Sequence, residues 1–214
     1  MTQTPILPDL HKKFHALLVA TLLTVSTSFC TFAGSNHKRE ANSANTVSIE
    51  NFGKVDDHFF RGAQPSQEEY KQLAALGIKT VIDLRNDAKE YAKVSAESSG
   101  LHYINFPMSD KKYPQTDTAQ KFLEIANNPT NWPVYVHCAG GRHRTGVMTA
   151  VYRIMVDGWD MDRSYAEMKQ YDFYTAWGHQ PMKDYIFDFY QDTKQKEALA
   201  AHLKAATATT QEQK

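Results

Sequence analysis

The feature that most constrains this chain is a cysteine-containing loop between an apolar segment and a helix-like segment, within residues 133–155. Residues 133–136 predict a buried strand, and residues 147–155 predict a helix. Backbone N–H groups point into a loop that precedes a helix, and the helix dipole favours negative charge there. That field favours the thiolate of Cys138, which is the nucleophilic form. Arg144 follows in the same loop and can grip two phosphate oxygens with its forked guanidinium, so the loop combines a nucleophile with a cradle for an anion.

The N-terminal segment has the three parts of a secretory signal. Two lysines precede an apolar run over residues 16–25, and small or polar residues follow it. We predict a signal peptide over residues 1–33 and a polar linker over residues 34–48. The apolar run is short for a membrane span, so an uncleaved anchor is the alternative, and the bulky residue before Cys30 disfavours lipidation. These features predict a secreted, periplasmic protein with no stable membrane span once the signal is cleaved.

The charge balance and the cysteine count limit the kinds of partner and cross-link that the mature chain can have. The 24 basic residues balance 24 acidic ones, so no overall charge attracts nucleic acid or an anionic membrane. The chain has 2 cysteines, and signal cleavage would leave Cys138 alone, so no intramolecular disulfide could form. Its reactivity then explains why a lone cysteine is present in an exported protein.

Turn and cap signals divide the remaining chain into alternating strands and helices. Ser66 and Glu69 form a capping box, and Asp117 predicts another helix start. The predicted strands cover residues 59–61, 78–84, 101–106 and 133–136. The predicted helices cover residues 66–76, 87–98, 118–127, 147–155, 161–171 and 181–204. This alternation predicts an α/β fold with a mostly parallel central sheet flanked by helices, as a single domain over residues 49–193, before a helical extension and frayed tail over residues 194–214.

The cysteine loop, residues 137–146, also resembles the signature sequence of a known family. A His-Cys pair, five further residues and an Arg-Thr-Gly triplet after an apolar strand resemble the signature of the cysteine-dependent protein tyrosine phosphatases. The residues that carry this signature are His137, Cys138, Arg144, Thr145 and Gly146. The compact dual-specificity branch is the most similar, and further likeness lies in residues 60–65, 77–85, 152–154 and 158–159. The resemblance implies the fold of that branch, and some of its secreted bacterial members are similar in size and layout.

The resemblance implies roles for the site residues. Cys138 is the expected nucleophile, which forms a cysteinyl-phosphate, and Arg144 is expected to bind the phosphate and stabilise the transition state. An aspartate upstream of the cysteine is expected to be the general acid and later the base, and Asp110 fits this place. Asp117 is the alternative, although a role as N-cap already accounts for it. Thr145 is expected to stabilise the leaving thiolate.

The rest of the phosphate-binding loop has predicted geometric or substrate-binding roles. These residues are His137, Ala139, Gly140, Gly141, Arg142, His143 and Gly146. The glycines let the backbone approach a phosphate closely, and His137 is expected to set loop geometry through its ring hydrogen bonds. Arg142 and His143 are either solvated or extend the anionic pocket towards a substrate with several phosphates. No metal is predicted, because a third ligand beside the histidines is not evident, and the mechanism needs no cofactor.

Several other residues are predicted to be structural. Asp83 lies inside a predicted strand, and Arg61 and Arg85 are predicted to be ion-paired. The aromatic residues predicted to lie in the core or at the rim of the site are Tyr171, Tyr174 and Trp177. None of these residues is assigned a chemical step.

The favoured hypothesis is a phosphomonoester hydrolase of the protein-tyrosine or dual-specificity type, which acts on phosphotyrosine and also on phosphoserine and phosphothreonine of proteins. Arg142 and His143 motivate an alternative, an inositol polyphosphate or phosphoinositide phosphatase. A phosphate-binding pseudophosphatase is a third hypothesis, which the intact Cys138, Arg144 and Asp110 disfavour. The expected partner is therefore a phosphorylated protein or a phosphorylated small molecule such as an inositol phosphate.

Overall fold

The computed structural model describes residues 47–212, and a sheet of five strands forms its centre. The strands are β1 (Gly53–Lys54), β2 (Phe59–Gly62), β3 (Thr80–Arg85), β4 (His102–Met108) and β5 (Val134–His137). Their spatial order is β1-β2-β5-β3-β4, with β1 antiparallel to β2 and the other neighbouring pairs parallel. The strand that comes last in the chain is therefore inserted in the middle of the sheet.

Helices pack against both faces of this sheet. Within the described residues they are α1 (Gln67–Ala75), α2 (Glu90–Ser98), α3 (Thr118–Ala126), α4 (His143–Met155), α5 (Met161–Gln170) and α6 (Gln180–Glu212). Short 3-10 turns occur at Pro129–Asn131 and Ala176–Gly178. The alternation confirms the predicted α/β fold with a mostly parallel sheet.

Strand β5 belongs to two hydrophobic cores at once. All residues of β3 and β5 are buried, as expected for strands that are covered on both faces. Successive side chains of a strand point to opposite faces. Val134 and Val136 therefore join the core formed with α3, α4 and α6, whereas Tyr135 joins the core formed with α1 and α2. The end of β5, and the loop that follows it, is consequently held from both faces.

Two helix starts test the predicted capping signals. Helix α1 begins as predicted, because the Glu69 carboxylate accepts a hydrogen bond from the Ser66 N–H at 2.8 Å. Asp117 occupies the N-cap position of α3, but its side chain makes no capping hydrogen bond. Its carboxylate instead forms an ion pair with Lys121 at 2.6 Å. The capping role predicted for Asp117 is therefore wrong.

One strand and the bounds of two helices differ from the predictions. Strand β1 is not among the predicted strands, because two residues leave no alternation to detect. Helix α4 begins at His143 rather than at residue 147, so the end of the predicted loop lies in the first helical turn. Helix α6 is 33 residues long and ends at Glu212 rather than at the predicted residue 204. Most of the tail predicted to be frayed is helical.

The predicted signal peptide and most of the predicted linker lie outside the described residues. The last linker residue, Ser48, is described, and its hydroxyl donates a hydrogen bond to the Glu69 carboxylate at 2.8 Å. The end of the linker is thereby attached to α1. In the part of the chain from residue 47 to residue 212, no helix has the length and apolar character needed to cross a membrane.

Candidate active site

Cys138 lies directly after β5, at the carboxyl end of a central parallel strand. Ligands of open α/β sheets bind at this edge. The thiol is free and the residue is 3% exposed. The cysteine loop (residues 137–146) runs from β5 into α4, so the predicted nucleophile lies where backbone N–H groups and the helix dipole favour an anion.

Three consecutive carbonyl groups of the cysteine loop are held from outside by residues far earlier in the chain. The pairs are the Gln64 N–H with the Ala139 oxygen at 3.1 Å, the Asn51 amide with the Gly140 oxygen at 2.8 Å, and the Arg61 guanidinium with the Gly141 oxygen at 2.7 Å. In a planar trans peptide the N–H points opposite to the carbonyl. These outward ties therefore turn the N–H groups of residues 140–142 towards the position of a bound phosphate.

Gly141 is the loop position that requires glycine. Its φ angle is 67°, and a Cβ atom there would lie 2.6 Å from the carbonyl carbon of Gly62 in β2. Gly146 differs, because it lies inside α4, where a Cβ atom would be in ordinary contact with the Phe173 ring at 3.6 Å. No protein neighbour therefore requires glycine at position 146, and its predicted approach to a phosphate stays a prediction, whereas the prediction for Gly141 has a steric basis.

Arg144 lies in the first turn of α4, and oxygen atoms from three residues position its guanidinium. Its Nη1 donates to the Asn86 side chain at 3.1 Å and to the Met108 carbonyl at 3.2 Å, and it lies 3.5 Å from the Asp87 carboxylate. Its Nε is buried and has no protein partner within the described residues. One side of the fork is thus used for positioning, while Nε remains available to a phosphate oxygen.

A cleft of about 210 Å³ opens at the cysteine loop. It is lined by Asp110, Cys138, Ala139, Gly140, Arg142, His143, Arg144, Tyr174 and His179. The predicted acid, which is half-buried, thus faces the same small space as the predicted nucleophile and the predicted phosphate-binding arginine. The fold brings these three groups together from the loop after β4, the end of β5 and the start of α4.

The other two candidate aspartates lie elsewhere. Asp117 does not line the cleft, and its carboxylate is paired with Lys121. Asp83 is fully buried in β3, where its carboxylate accepts hydrogen bonds from the Tyr103 hydroxyl at 2.7 Å and from the Arg85 N–H at 2.9 Å. These contacts confirm that Asp83 is structural, and among the three candidates Asp110 is the one at the cleft.

The side chain of His137, the first residue of the cysteine loop, is turned into the interior and does not line the cleft. It is fully buried, and its Nδ1 lies 3.3 Å from the carbonyl oxygen of Cys138. Because a carbonyl only accepts hydrogen bonds, Nδ1 carries the proton. Burial lowers the pKa of His137, although the nearby Asp83 carboxylate acts in the opposite direction. A neutral ring that binds the loop backbone supports the predicted geometric role.

Arg142 and His143 have different environments. The Arg142 guanidinium, 35% exposed, forms an ion pair with the Glu50 carboxylate. His143 is 9% exposed, and its ring stacks on that of His179 with centroids 3.6 Å apart. Burial, together with the neighbouring His179, lowers the pKa of His143 to about 4. His143 is therefore not a solvated loop residue, and it is uncharged near neutral pH.

Thr145 does not make the contact predicted for it. Its side chain is fully buried in the first turn of α4, and its hydroxyl has no hydrogen-bond partner within the described residues. The expected hydrogen bond to the Cys138 sulfur is thus not formed in this structure. A buried hydroxyl without a hydrogen-bond partner costs folding free energy. The Thr145 hydroxyl is therefore free to donate a hydrogen bond to an anion that forms nearby.

Arg61 and Arg85 differ, although both are predicted to be ion-paired. Arg85 pairs with Asp87 at 2.8 Å, as predicted. Arg61 has no ion-pair partner among the described residues, and its fully buried guanidinium lies 3.7 Å from the centre of the Tyr171 ring. Burial lowers the pKa of Arg61 to about 10, so the group is still charged at neutral pH. The predicted ion pair is wrong, because an aromatic face and the Gly141 carbonyl take the place of a carboxylate.

The aromatic residues after α5 are distributed between the core and the surface. Tyr171 packs against Arg61, and Tyr174 is 39% exposed at the rim of the cleft, in agreement with their predicted places. Trp177 is 83% exposed and has a φ angle of 62°, so it is neither a core residue nor one of the residues that line the cleft.

Sequence reasoning missed several residues that support the site. They are Glu50, Asn51, Asn86, Asp87 and His179. A signal existed for Asn86 and Asp87, since both follow the carboxyl end of a parallel strand, where ligands bind. No local pattern indicates that residues near position 50, or the residue before α6, reach the cysteine loop.

The polar groups of the site suit an anion rather than a cation. Within residues 47–212, no three or more His, Cys, Asp and Glu side chains are grouped so that they could hold a metal ion. The cleft instead presents the Arg144 guanidinium and the backbone N–H groups of the cysteine loop.

The fold and the cleft together define a class of enzyme, the cysteine-dependent phosphatases of the dual-specificity type. A family model described as PTP-NADK, a DSP-PTPase phosphatase fused to NAD+ kinase, matches residues 29–184. This match covers more than half of the chain, and the chain belongs to this family.

Named relatives agree with this class. The probable tyrosine-protein phosphatase DG1060 of Dictyostelium discoideum is 27% identical over 126 residues, which are 56% of this chain and 75% of that protein. The dual specificity protein phosphatase TpbA of Pseudomonas aeruginosa is 24% identical over 123 residues, 58% of this chain and 55% of that protein. The inositol diphosphatase SIW14 of Saccharomyces cerevisiae is 29% identical over 132 residues, 58% of this chain and 46% of that protein. The matches thus span about half the length of the last two.

Solved structures have the same fold. The core catalytic domain of the PP-IP phosphatase SIW14 aligns with a TM-score of 0.59 at 24% identity, over 72% of this chain and 93% of that chain. Pseudomonas aeruginosa TpbA aligns with a TM-score of 0.57 at 23% identity, over 68% of this chain and 88% of that chain. The predicted dual-specificity phosphatase fold is therefore confirmed.

Proposed function

We propose that this protein is a phosphomonoester hydrolase that removes phosphate from phosphotyrosine, and also from phosphoserine and phosphothreonine, through a cysteinyl-phosphate intermediate. The observation that carries the proposal is the meeting of Asp110, Cys138 and Arg144 at one cleft. An acid, a nucleophile and a clamp for the transferred group are the parts that this reaction needs.

In the first step, the Cys138 thiolate attacks phosphorus, a P–S bond forms, and the bond between phosphorus and the substrate oxygen breaks. Asp110 donates its proton to that oxygen, so the alcohol leaves in its neutral form. Arg144 and the N–H groups of residues 140–142 bind the equatorial oxygens while charge redistributes. Because the carbonyl ties already orient these N–H groups, the site needs little rearrangement during the step.

In the second step, a water molecule attacks phosphorus and Asp110 accepts one of its protons. A P–O bond forms, the P–S bond breaks, and inorganic phosphate and the Cys138 thiolate are released. The unpartnered hydroxyl of Thr145 is proposed to donate to the departing sulfur. This donation stabilises the thiolate as it leaves.

The charges around the cleft favour phosphotyrosine over a substrate with several phosphates. The two other basic candidates offer no free positive charge for a second phosphate. Arg142 is paired with Glu50, and burial lowers the pKa of His143 to about 4, so it is neutral near pH 7. The half-exposed ring of Tyr174 offers an apolar surface at the rim of the cleft. Several relatives are named tyrosine phosphatases, which is consistent with this substrate. Others are named inositol diphosphatases, so an inositol phosphate is also assayed.

The nucleophile is tested with purified wild-type protein and Cys138→Ser on phosphotyrosine peptides. Wild type is expected to turn over, whereas the variant is expected to lose essentially all activity because a serine hydroxyl in this site is not ionised. Equal activity of the two proteins contradicts the proposal.

The substrate class is tested on wild-type protein, for which kcat/KM with phosphotyrosine peptides is expected to exceed that with inositol hexakisphosphate by more than about tenfold. The reverse order would support the inositol phosphatase hypothesis.

The acid is tested with Asp110→Asn, with Asp117→Asn as the matched control. The Asp110 variant is expected to lose about 100-fold or more in kcat with little change in KM, because it cannot protonate the leaving oxygen. The Asp117 variant loses only an ion pair that lies outside the cleft, so its kcat is expected to stay near the wild-type value. A large loss in the control alone would transfer the role to Asp117.

We also propose that the chain is exported and acts in the periplasm after removal of residues 1–33. The basic, apolar and small-residue regions of this segment support the proposal. Cell fractionation and N-terminal sequencing are the test. A periplasmic chain that starts at Gly34 is expected, whereas a full-length chain in the membrane fraction would favour the uncleaved anchor.

A further inference from the structure

His179 lines the active-site cleft but has no part in the proposed chemical steps. It is the last residue of the loop between α5 and α6 (residues 171–179), which joins no strand of the sheet. The residue is 6% exposed, although it lies next to one of the most exposed segments of the domain, with Trp177 at 83%. A buried polar ring at the wall of the cleft needs partners within the protein.

The first contact of His179 is with the proposed acid. Its Nδ1 lies 2.8 Å from the main-chain oxygen of Asp110. Since that oxygen can only accept, Nδ1 must carry the proton, and the hydrogen bond selects this tautomer. The contact is with the backbone, so the Asp110 carboxyl is left available for proton transfer.

The second contact of His179 is with α4, the helix that carries Arg144. Its ring stacks on His143, the first residue of α4, with centroids 3.6 Å apart and an angle of 14° between the planes. Tyr174 closes the cluster, with its ring edge-on to His143 at 4.4 Å and to His179 at 5.4 Å. His143 directly precedes Arg144, so the stack connects His179 to the start of the helix that positions the clamp.

The loop that carries Asp110 has further restraints of its own. The Ser109 hydroxyl accepts hydrogen bonds from the N–H groups of Lys111 and Lys112, both at 3.2 Å. A Cβ atom on Gly178 would be in contact with the Lys111 side chain at 3.7 Å, so the two loops also approach each other beside the histidine. The hydrogen bond from His179 is therefore the polar part of a wider loop-to-loop contact.

We propose that His179 is a positioning residue for general-acid catalysis: it ties the Asp110 backbone to the first turn of α4, and so fixes the acid relative to the phosphate held by Arg144. An acid must lie within hydrogen-bond reach of the leaving oxygen, and small displacements cost rate. The inference rests on the proposed function, because it assigns His179 to the placement of the acid of that reaction.

The test is the dependence of rate on the leaving group. Aryl phosphates with poor leaving groups need the acid, whereas those with good leaving groups, such as p-nitrophenyl phosphate, need it much less. His179→Phe keeps a flat ring for the stack but removes the N–H. It is expected to lower kcat/KM for phenyl phosphate by about tenfold or more, while p-nitrophenyl phosphate changes by less than about threefold. His202→Phe, the same substitution at an exposed position of α6, is the matched control and is expected to match wild type.

Two further variants separate positioning from folding. His179→Asn keeps a donor near the place of Nδ1 and is expected to retain more of the phenyl phosphate activity than His179→Ala, even if the Phe variant does not fold. In an Asp110→Asn background there is no acid left to place, so adding His179→Phe is expected to cause no further selective loss. An equal loss for all leaving groups, no loss at all, or a multiplicative loss in the double variant would overturn the inference. Inactive wild-type protein would instead refute the proposed function itself.

Discussion

At the scale of single residues, Arg61 in β2 is a buried charge that contacts the backbone of the cysteine loop. Its guanidinium holds the Gly141 carbonyl at 2.7 Å and keeps a positive charge beneath the loop. Arg61→Met fills similar space but has neither a hydrogen-bond donor for the Gly141 carbonyl nor a positive charge. We expect Ki for inorganic phosphate to rise about tenfold, because hydrogen bonds to charged groups contribute roughly 1.5–3 kcal/mol. Competitive inhibition assays measure this change.

Arg163→Met is the control for Arg61→Met. Arg163 is exposed on α5 and its guanidinium packs over the Trp159 ring at 3.7 Å, so the same substitution removes a charge away from the cleft. Its Ki for phosphate is expected to stay at the wild-type value. An unchanged Ki in a folded Arg61→Met protein would show that the carbonyl tie is not needed to orient the loop.

His143 makes the stability of the protein depend on pH. Burial and the neighbouring His179 lower its pKa from 6.5 to about 4 in the folded state, while Asp110 opposes and Arg142 reinforces the shift. The unfolded chain therefore binds a proton at pH values where the folded chain does not. This contribution to stability is complete above about pH 6.5 and is lost as the pH falls towards 4. Between pH 7 and pH 4.5, we expect wild type to lose about 2 kcal/mol more unfolding free energy than His143→Gln.

Urea denaturation of both proteins at the two pH values measures this difference. The comparison uses the difference between the proteins because other groups also contribute to the pH dependence, including the buried His137, whose pKa is likewise lowered by burial. Parallel loss of stability in wild type and His143→Gln would contradict the interpretation of His143 as a neutral buried ring.

At the scale of elements, the turn of the cysteine loop at Gly141 meets strand β2. Gly141→Ala is expected to lower both stability and phosphate affinity, because its Cβ atom would lie 2.6 Å from the Gly62 carbonyl carbon. Gly158 is a matched control, since its φ angle is also 67° but a Cβ atom there would meet nothing within 4 Å. We expect Gly158→Ala to cost about 1 kcal/mol from backbone strain alone and to leave kcat/KM unchanged. Similar losses of activity in both variants would contradict the steric argument.

Sequence patterns predict the elements of this protein better than the contacts between them. The periodic helices and buried strands were predictable because each depends on neighbouring residues, and the spacing of Cys138 and Arg144 is itself local. The ties from Asn51 to Gly140 and from His179 to Asp110 join residues that are far apart in the chain, so no short window contains them. The environment of Arg61 was missed for the same reason. Its partners are a loop carbonyl and an aromatic ring that only the completed fold brings near.

At the scale of the whole molecule, helix α6 has a buried part and an exposed part. Met182 and Ile186 are fully buried in the core, whereas Leu199 and Leu203 are 61% and 60% exposed. Deletion of residues 199–214 is expected to change the free energy of unfolding by less than about 1 kcal/mol and to leave kcat/KM unaltered. Ile186→Ala, on the same helix, is expected to cost about 2–5 kcal/mol. Chemical denaturation compares the two, and equal costs would indicate that the exposed part packs against a further surface.

The central position of β5 has a consequence for how this protein is made. A nascent chain that has left the ribosome only as far as α3 already contains β2 and β3, but the strand that pairs with both is still to come. The facing edges of those strands are open until residues 134–137 arrive, and open edges invite pairing with other chains. The residues that complete the sheet end one position before Cys138. A partly synthesised chain is therefore both the form most exposed to aggregation and a form without its nucleophile, and catalytic activity begins only when the last strand has closed the sheet.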